Sequence, residues 1–183
     1  MQPVHGCNLF IGGARSGKSD LAVQLGVAWP GDVVMIATAS AGDEDMARRI
    51  ERHQLDRPDD WALIEAPLCS ANDVTAIVEP ALVIVDCITM LVANLMFSQR
   101  DESEIDAHLT VLGDTLAQRS EPSIVISNEV GLGVHPETEL GRQYRDVLGR
   151  ANRRLAEHAD QTYFVAAGQV LPLQPIEIAW NEN

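Results

Sequence analysis

Short, continuous apolar runs alternate along the chain with longer segments of helical periodicity. The runs are bounded by polar residues or glycine, as is typical of parallel strands buried on both faces. Between them, apolar residues recur at three- and four-residue spacing, which predicts amphipathic helices. The alternation predicts an α/β fold with a mostly parallel central sheet and helices on both faces. The predicted strands are NLFIG, DVVMIA, ALVIVD, SIVIS and TYFVAA, and the predicted helices are KSDLAVQLGVAW, DEDMARRIERHQL, ITMLVANLMF, EIDAHLTVLGDTLAQR and ETELGRQYRDVLGRANRRLAEHA.

Three segments fit this alternation less simply. WALIEA, residues 61–66, predicts a short strand at an edge or in an excursion, outside the central sheet. The apolar stretch 81–97 is interrupted by Asp86, Thr89 and Asn94 and is shorter than the roughly 20 residues of a membrane span, so it predicts a buried strand followed by a buried helix. The C-terminal LPLQPIEIAWNEN predicts an ordered start that passes into a loose tail after about residue 173.

Length and composition favour one domain, residues 1–183. The chain has 183 residues, 46% of them hydrophobic, and no linker or repeat divides it. Its 27 acidic and 13 basic residues give a net charge of −14, which disfavours attraction to nucleic acid or to an anionic membrane. The three cysteines form no CxxC pair and the N-terminus has no secretory pattern, so we expect a cytoplasmic protein. An anionic ligand then needs a local positive site.

The segment GGARSGKS supplies such a site, because it matches GxxxxGK[ST] between a predicted strand and a predicted helix. Glycines in this motif let successive backbone N–H groups point at phosphate oxygens, and the helix N-terminus adds partial positive charge. The sequence therefore predicts a phosphate-binding P-loop. Its residues are Gly12, Gly13, Ala14, Arg15, Ser16, Gly17, Lys18 and Ser19.

Lys18 is the only lysine among the 13 lysines and arginines. A compact ammonium enters a phosphate cradle as a point charge, whereas the planar guanidinium of arginine does not replace it there. Lys18 is predicted to reach the β- and γ-phosphates, and the Ser19 hydroxyl to bind the Mg²⁺ that bridges them. Arg15 either touches a phosphate or closes the loop through a salt bridge.

Asp86 ends the predicted strand ALVIVD. A carboxylate at this position holds the magnesium shell in P-loop proteins, usually through water. Asp86 could instead cap the helix that DCIT opens, since Asp is a favoured N-cap residue. The preceding P-loop makes the magnesium role the favoured hypothesis.

The segment DEDMARRIERHQLDRPDDW, residues 43–61, combines an acidic helix start, several arginines and one histidine, His53. Glu44/Arg48 and Asp45/Arg49 have the spacing of helical ion pairs, so a solvated surface helix is one interpretation. Its thin apolar stripe predicts that it covers a site loosely. From spacing alone, His53 is more plausibly a surface residue than a catalytic one.

Several of these motifs together resemble the bifunctional adenosylcobinamide kinase / adenosylcobinamide-phosphate guanylyltransferase family of cobalamin biosynthesis. The resemblance runs from about Asn8 to about Leu173 and is carried by GGARSGKS, IATA, RIxxHxxxRPxxW, VDCITMLVANLMF and NEVGxGxxPE. It implies a P-loop NTPase-like fold and a nucleophilic histidine, here His53, that attacks the α-phosphate of GTP to form a GMP-histidine intermediate. The residues it places in contact with the guanine nucleotide are Ala37, Thr38, Ala39, Arg57, Pro58, Asp59, Asp60 and Glu65.

The segment SNEVGLGVHPE, residues 127–137, follows a predicted strand and is expected to form a loop at the carboxyl edge of the sheet, where open α/β sheets bind ligands. Asn128 or Glu129 contacts substrate or magnesium in one interpretation. In the other, the segment is only a strand-to-helix turn. The arginines of the following helix are expected to form a paired, solvated face or a subunit interface: Arg142, Arg145, Arg153 and Arg154.

The resemblance also implies the reaction partners. The expected substrates are adenosylcobinamide and its phosphate, with GTP for guanylylation, ATP or GTP for the kinase step, and Mg²⁺ as cofactor. It implies a homo-oligomer, a homotrimer in this family. Two other functions remain open at this point: a P-loop small-molecule kinase without guanylyl transfer, and a nucleotide-binding regulator without transfer chemistry.

Overall fold

The computed structural model describes residues 5–39 and 58–175, and they form a seven-stranded sheet with helices. The strand order is β3-β2-β4-β5-β1-β6-β7. All neighbouring pairs are parallel except β6 and β7, which confirms the predicted mostly parallel sheet. The strands are β1 Cys7–Gly12, β2 Asp32–Ala37, β3 Ala62–Glu65, β4 Ala81–Asp86, β5 Ser123–Asn128, β6 Gln161–Ala166 and β7 Gln169–Leu173.

Helices cover both faces of the sheet, as predicted. One face packs Phe10, Ile84 and Ile126 against the first helix, α1. The opposite face packs Leu9 and Val85 against the other helices, which surround the larger core cluster. Alternate residues of each central strand thus belong to different apolar clusters, as expected for a sheet buried on both sides. The helices are α1 Lys18–Ala28, α2 Ala71–Thr75, α3 Ile88–Phe97, α4 Glu102–Ala117 and α5 Glu139–His158.

The less regular segments gave mixed outcomes. The segment 61–66 forms the edge strand β3, but β3 pairs in parallel with β2 and extends the central sheet, so the expected separation from that sheet was wrong. The stretch 81–97 is β4 followed by α3, as predicted. Within the described residues, no helix combines the length and apolarity needed to cross a bilayer. The predicted helix DEDMARRIERHQL lies outside the described residues.

Two elements were not predicted: the short helix α2 and the antiparallel strand β7. β6 and β7 form a hairpin whose two turn residues, Ala167 and Gly168, have φ of 51° and 72°. Positive φ at both central positions is the geometry of tight hairpin turns that match the twist of the strands. The ordered start of the C-terminal segment is therefore a strand, and residues 176–183 lie outside the described range.

Candidate functional site

The parallel strands bring their carboxyl ends to one edge of the sheet, which we call the carboxyl edge. The strand register places Gly12 opposite Asn128, and Ala37 opposite both Asp86 and Glu65. Five segments that are distant in sequence therefore end side by side. Ligands of open α/β sheets bind outside the carboxyl ends of the strands, so this edge is the candidate site.

Lys18 lies at the start of α1 and holds the P-loop together. Its Nζ donates hydrogen bonds to the carbonyl oxygens of Gly12 and Gly13, at 2.9 and 2.7 Å, and to Ser16 Oγ at 3.2 Å. The residue is only 5% exposed. Burial lowers the pKa of the ammonium, and the nearby Asp86 carboxylate opposes this shift. The loop thus presents a buried ammonium in a chain that is strongly acidic.

The backbone of the P-loop is tightly constrained. Gly17 has φ of 98°, a conformation that L-residues with a side chain rarely adopt, and a Cβ on Gly12 would overlap the Val165 carbonyl oxygen of β6. Arg15 is exposed and forms no ion pair with any described residue. The salt-bridge alternative for Arg15 therefore finds no support among these residues, and its contact with phosphate stays a prediction.

Ser19 and Asp86 meet across the carboxyl edge, although they lie on different elements. Ser19 Oγ donates a hydrogen bond to Asp86 Oδ2 at 3.1 Å. Asp86 does not cap α3, because the N-cap residue is Cys87. A hydroxyl and a carboxylate are hard oxygen donors of the kind that Mg²⁺ prefers. The two side chains thus fit the group predicted from sequence, and among the described residues no cluster of three His, Cys, Asp or Glu offers an alternative metal site.

Thr38 connects the ends of β2 and β4 from a fully buried position. Its hydroxyl donates to the Cys87 carbonyl at 2.6 Å and accepts from the Cys87 amide at 2.8 Å. Asn94 donates to the Thr38 carbonyl at 2.9 Å. Both bonds of the Thr38 hydroxyl go to Cys87, the residue after Asp86. Thr38 therefore stabilises the backbone that carries the Asp86 carboxylate. The predicted nucleotide contacts of Ala37, Thr38 and Ala39 stay predictions.

The predicted guanine-contacting residues do not all gather at the carboxyl edge. Glu65 lies there, at the end of β3. Pro58, Asp59 and Asp60 instead precede β3 at the opposite edge, where Trp61 packs against Gly26 of α1. His53 and Arg57 lie outside the described residues. Their roles stay predictions.

Cys87 is the thiol nearest to this site. Burial, aided by the Asp86 carboxylate, raises its pKa to about 11. The thiolate is the nucleophilic form of cysteine, and it is scarce at neutral pH when the pKa is this high. Cys87 is therefore a poor candidate for a covalent intermediate.

The segment after β5 forms a loop, residues 128–138, that we call the β5–α5 loop. Glu129 N donates to the Gly12 carbonyl at 3.0 Å, so the loop begins beside the P-loop. The Glu129 carboxylate turns back and accepts from Gly131 N at 2.5 Å. Arg142 donates to the carbonyls of residues 136 and 137, at 3.1 and 2.7 Å, and Arg145 donates to His135 at 2.8 Å.

These contacts divide the arginines of α5 into two groups. Arg142 and Arg145 hold the β5–α5 loop, a role that was not predicted. Arg145 also pairs with Asp146 at 2.7 Å, in agreement with a paired face. Arg154 pairs with Asp106 and Glu157, and Arg153 also pairs with Glu157, in agreement with a paired, solvated face.

The sequence matches the family described as cobinamide kinase / cobinamide phosphate guanyltransferase over residues 8–173. The chain belongs to this family. It is 39% identical over 168 residues to the bifunctional adenosylcobalamin biosynthesis protein CobP of Pseudomonas aeruginosa, covering 91% of this chain and 96% of that protein. It is 34% identical over 173 residues to the bifunctional adenosylcobalamin biosynthesis protein CobU of Escherichia coli, covering 87% and 95%. The resemblance inferred from the motifs is confirmed.

Solved structures support the P-loop NTPase-like fold of this cobinamide kinase / guanyltransferase family member. A protein of Pyrococcus horikoshii OT3 superposes with a TM-score of 0.59 at 11% identity, over 95% of this chain and 88% of that chain. The RadB recombinase gives a TM-score of 0.52 at 17% identity, over 88% and 75%. At these identities the likeness shows the fold alone.

The structure adds supporting residues that the sequence did not indicate for this family member. Gly168 N, in the β6–β7 turn, donates to the Ser16 carbonyl at 2.8 Å and fastens the hairpin to the P-loop. Asn152, deep in α5, donates to the Asn128 carbonyl at 3.0 Å. The only sequence feature that could have indicated Asn152 is that it interrupts the apolar stripe of an amphipathic helix. For Gly168, the sequence offered only a residue type that is common in turns.

Proposed function

We propose that this chain phosphorylates adenosylcobinamide and then transfers GMP from GTP to the resulting phosphate. Membership of the family carries the assignment of the substrates. The observation that carries the chemistry is the meeting of Ser19 and Asp86 beside the Lys18 cradle, since this arrangement suits a nucleoside triphosphate. GTP serves the second step, and ATP or GTP the first.

In the kinase step, the hydroxyl of the aminopropanol arm attacks the γ-phosphorus, and the bond from that phosphorus to the β–γ bridging oxygen breaks. The nucleoside diphosphate leaves with the bonding electrons, and the hydroxyl proton is released. Lys18 and the loop amides stabilise the negative charge on the phosphate oxygens. Ser19 and Asp86 would hold Mg²⁺, which when bound neutralises charge on the β- and γ-phosphates. The Ser19–Asp86 distance of 3.1 Å supports this role for both side chains.

In the guanylyl step, an imidazole nitrogen of His53 attacks the α-phosphorus of GTP, and pyrophosphate leaves with the bonding electrons. A phosphate oxygen of adenosylcobinamide phosphate then attacks the same phosphorus, and the N–P bond breaks to release neutral His53 and adenosyl-GDP-cobinamide. Neutral imidazole is a suitable nucleophile near pH 7. Arg52 stands beside it in sequence. The proposed contacts to the guanine nucleotide are Ala37, Thr38, Ala39, Arg57, Pro58, Asp59, Asp60 and Glu65, with Arg15 on a phosphate.

One pair of labelling experiments tests both steps. Protein incubated with Mg²⁺ and GTP labelled on the α-phosphate should acquire acid-labile, base-stable label, and His53→Ala should abolish it. His5→Ala, a change of an exposed histidine that precedes β1, should retain it. Phosphate transfer to cobinamide from nucleotide labelled on the γ-phosphate measures the kinase step.

Each outcome of these assays has a meaning. An unlabelled wild type, or a fully labelled His53→Ala variant, would refute the nucleophile assignment. Transfer of γ-phosphate without α-label identifies a kinase that lacks guanylyl transfer. Nucleotide binding without either transfer identifies a regulator and refutes the proposed function.

We also propose a cytoplasmic homotrimer that acts on these small molecules, without nucleic acid or membrane partners. Exposed apolar side chains support a protein contact surface: Leu132 and Val134 in the β5–α5 loop are 79% and 93% exposed. Phe97 and Leu140 line a cavity of about 550 Å³ between α3, α4 and α5. Light scattering that gives the mass of three chains would support the trimer, and a monomer mass would refute it.

A further inference from the structure

Asn128 ends the strand that lies between the P-loop strand and the Asp86 strand. β5 pairs with β1 on one side, where Asn128 faces Gly12, and with β4 on the other, where Ile126 faces Asp86. Successive side chains of a strand point to opposite faces. Ile124 and Ile126 pack on the α1 face, so Asn128 belongs to that face as well.

Asp86 belongs to the same face by the same alternation, since Leu82 and Ile84 pack there. Its hydrogen bond to Ser19, at the start of α1, agrees with that position. Asn128 therefore shares the α1 face and the carboxyl edge with the residues proposed to hold the phosphates and Mg²⁺. Because β5 lies between β4 and β1, Asn128 stands between the strand ends that carry Asp86 and the P-loop.

The backbone of Asn128 is fixed, whereas its side chain has no partner among the described residues. Its N–H donates to Thr89 Oγ1 at 2.9 Å, and its carbonyl accepts from Asn152 Nδ2 at 3.0 Å. No hydrogen bond joins its side-chain amide to another residue in the described ranges 5–39 and 58–175. Asn side chains in turns often bond to backbone groups two residues on, and Asn128 makes no such bond to a described residue. This amide is left available to a ligand.

Asn152 holds Asn128 from within the core. It is 5% exposed, and its two polar atoms are both used, since Oδ1 accepts from the buried Ser127 hydroxyl at 2.5 Å. A buried amide whose oxygen and nitrogen are both hydrogen-bonded has one favoured orientation, because turning it over would break both bonds. Tyr144 adds a second link from α5 by donating to the Thr89 carbonyl at 3.1 Å. Helix α5 therefore fixes the end of β5 through two routes.

We propose that the side-chain NH₂ of Asn128 donates a hydrogen bond to the terminal phosphate of the bound nucleoside triphosphate, with Asn152 as its positioning residue. The amide NH₂ is a neutral donor, and hydrogen bonds from such donors to charged phosphate oxygens are stronger than bonds between neutral groups. This inference rests on the proposed function only in requiring that the P-loop binds a triphosphate. Of the two residues that the sequence left open, it assigns the phosphate contact to Asn128.

Binding of two matched nucleotides tests the contact. Guanosine α,β-methylene triphosphate and the corresponding diphosphate cannot guanylylate a histidine, because the bridging bond is P–C, and they differ only in the terminal phosphate. With Mg²⁺, Asn128→Ala should raise the Kd of the triphosphate about tenfold and leave that of the diphosphate within about twofold. Equal changes for both nucleotides, or no change for either, would overturn the proposal.

A double-mutant cycle tests the positioning role. Asn152→Asp keeps an oxygen for the Ser127 hydroxyl but replaces the donor to Asn128 by a second oxygen, so it should raise the triphosphate Kd several-fold. In the Asn128→Ala background the same change should have no further effect. Equal Kd increases in both backgrounds would show that Asn152 acts independently of Asn128 and would overturn this part.

Matched variants separate positioning from general destabilisation. Ser127→Ala removes the donor to Asn152 but leaves the Asn152–Asn128 bond, so it should lower the melting temperature without changing the ratio of the two Kd values. Where Asn152→Asp does not fold, Thr89→Val provides the test, because it removes the acceptor of the Asn128 N–H at nearly constant volume. An unchanged Kd ratio in Thr89→Val would then count against the proposal.

The same proteins distinguish this inference from the proposed function. Suppose that the wild type transfers no phosphate to cobinamide, but Asn128→Ala weakens binding of the triphosphate and not of the diphosphate. The proposed function then fails and the Asn128 contact stands. If transfer occurs and Asn128→Ala leaves both nucleotide affinities unchanged, the contact fails and the function stands.

Discussion

The P-loop and the β5–α5 loop lie side by side at the carboxyl edge, yet they are held in different ways. The P-loop is held mainly by its own atoms, because Lys18 binds two carbonyls and a hydroxyl of the same eight-residue segment. The β5–α5 loop is held from outside, by Thr89 of α3 and by Asn152, Arg142 and Arg145 of α5. One motif is local, whereas the other depends on the packing of distant helices.

Because the two loops are held differently, different substitutions should change them. A cradle held mainly by its own atoms needs little beyond a strand and a helix, which suits the binding of a phosphate group common to many nucleotides. A loop fixed by distant side chains can be altered in shape by substitutions on α5 without changing the cradle. Variants that disturb one loop should therefore leave the other largely intact.

The largest expected effect comes from Lys18→Arg. The planar guanidinium is broader than an ammonium and does not fit among the Gly12 carbonyl, the Gly13 carbonyl and Ser16 Oγ. We expect kcat for phosphorylation to fall about 100-fold or more, as for loss of a charge-stabilising donor. Steady-state assays measure kcat. Arg150→Lys is the control, because Arg150 lies in an exposed ion pair with Glu102. Activity within about tenfold of wild type would contradict the point-charge argument.

Gly12→Ala should lower the free energy of unfolding by about 2 kcal/mol, because the new Cβ overlaps the backbone oxygen of Val165, which cannot move without disturbing β6. The neighbouring Gly13 is the matched control, since a Cβ there meets no atom within 4 Å. Urea unfolding measures both variants. Equal destabilisation by the two substitutions would show that flexibility, and not space, requires these glycines.

Gly168→Ala tests the external support that the β6–β7 turn gives the P-loop. Its φ is 72°, and a Cβ would meet nothing within 4 Å, so the expected loss of about 1 kcal/mol comes from backbone conformation alone. Ala167→Asn, at φ of 51°, should be neutral or slightly stabilising because Asn tolerates this region. Thermal unfolding compares them, and a stabilised Gly168→Ala would contradict the turn geometry.

The same contrast explains how much the sequence could predict. The five central strands, the P-loop and the strand-end position of Asp86 follow from local patterns, and all were predicted. Thr38 could not be assigned its support role, because its partner Cys87 is 49 positions away and joins it only in the folded sheet. The hairpin was missed because its turn is Ala167-Gly168 and lacks the usual Asn-Gly or Asp-Gly signal.

The smallest expected loss of stability comes from Arg142→Ala. This variant tests most directly whether side chains of α5 hold the β5–α5 loop. Arg142→Ala removes two hydrogen bonds to loop carbonyls at a partly exposed site, so we expect a loss of about 1 kcal/mol or less. Thr138 still caps α5 through Gly141 N, at 3.1 Å, so the helix itself should persist. Hydrogen exchange should rise in residues 128–138 but not in residues 12–19.

Arg153→Ala is the matched control, because Arg153 lies on the same helix but pairs only with Glu157, at 3.4 Å, on an exposed surface. It should change exchange in neither loop. Faster exchange in the P-loop of the Arg142→Ala protein would show that the two loops are coupled through Glu129 N and the Gly12 carbonyl. The β5–α5 loop would then be part of the support of the cradle, and substitutions on α5 would change the P-loop itself as well as the end of β5.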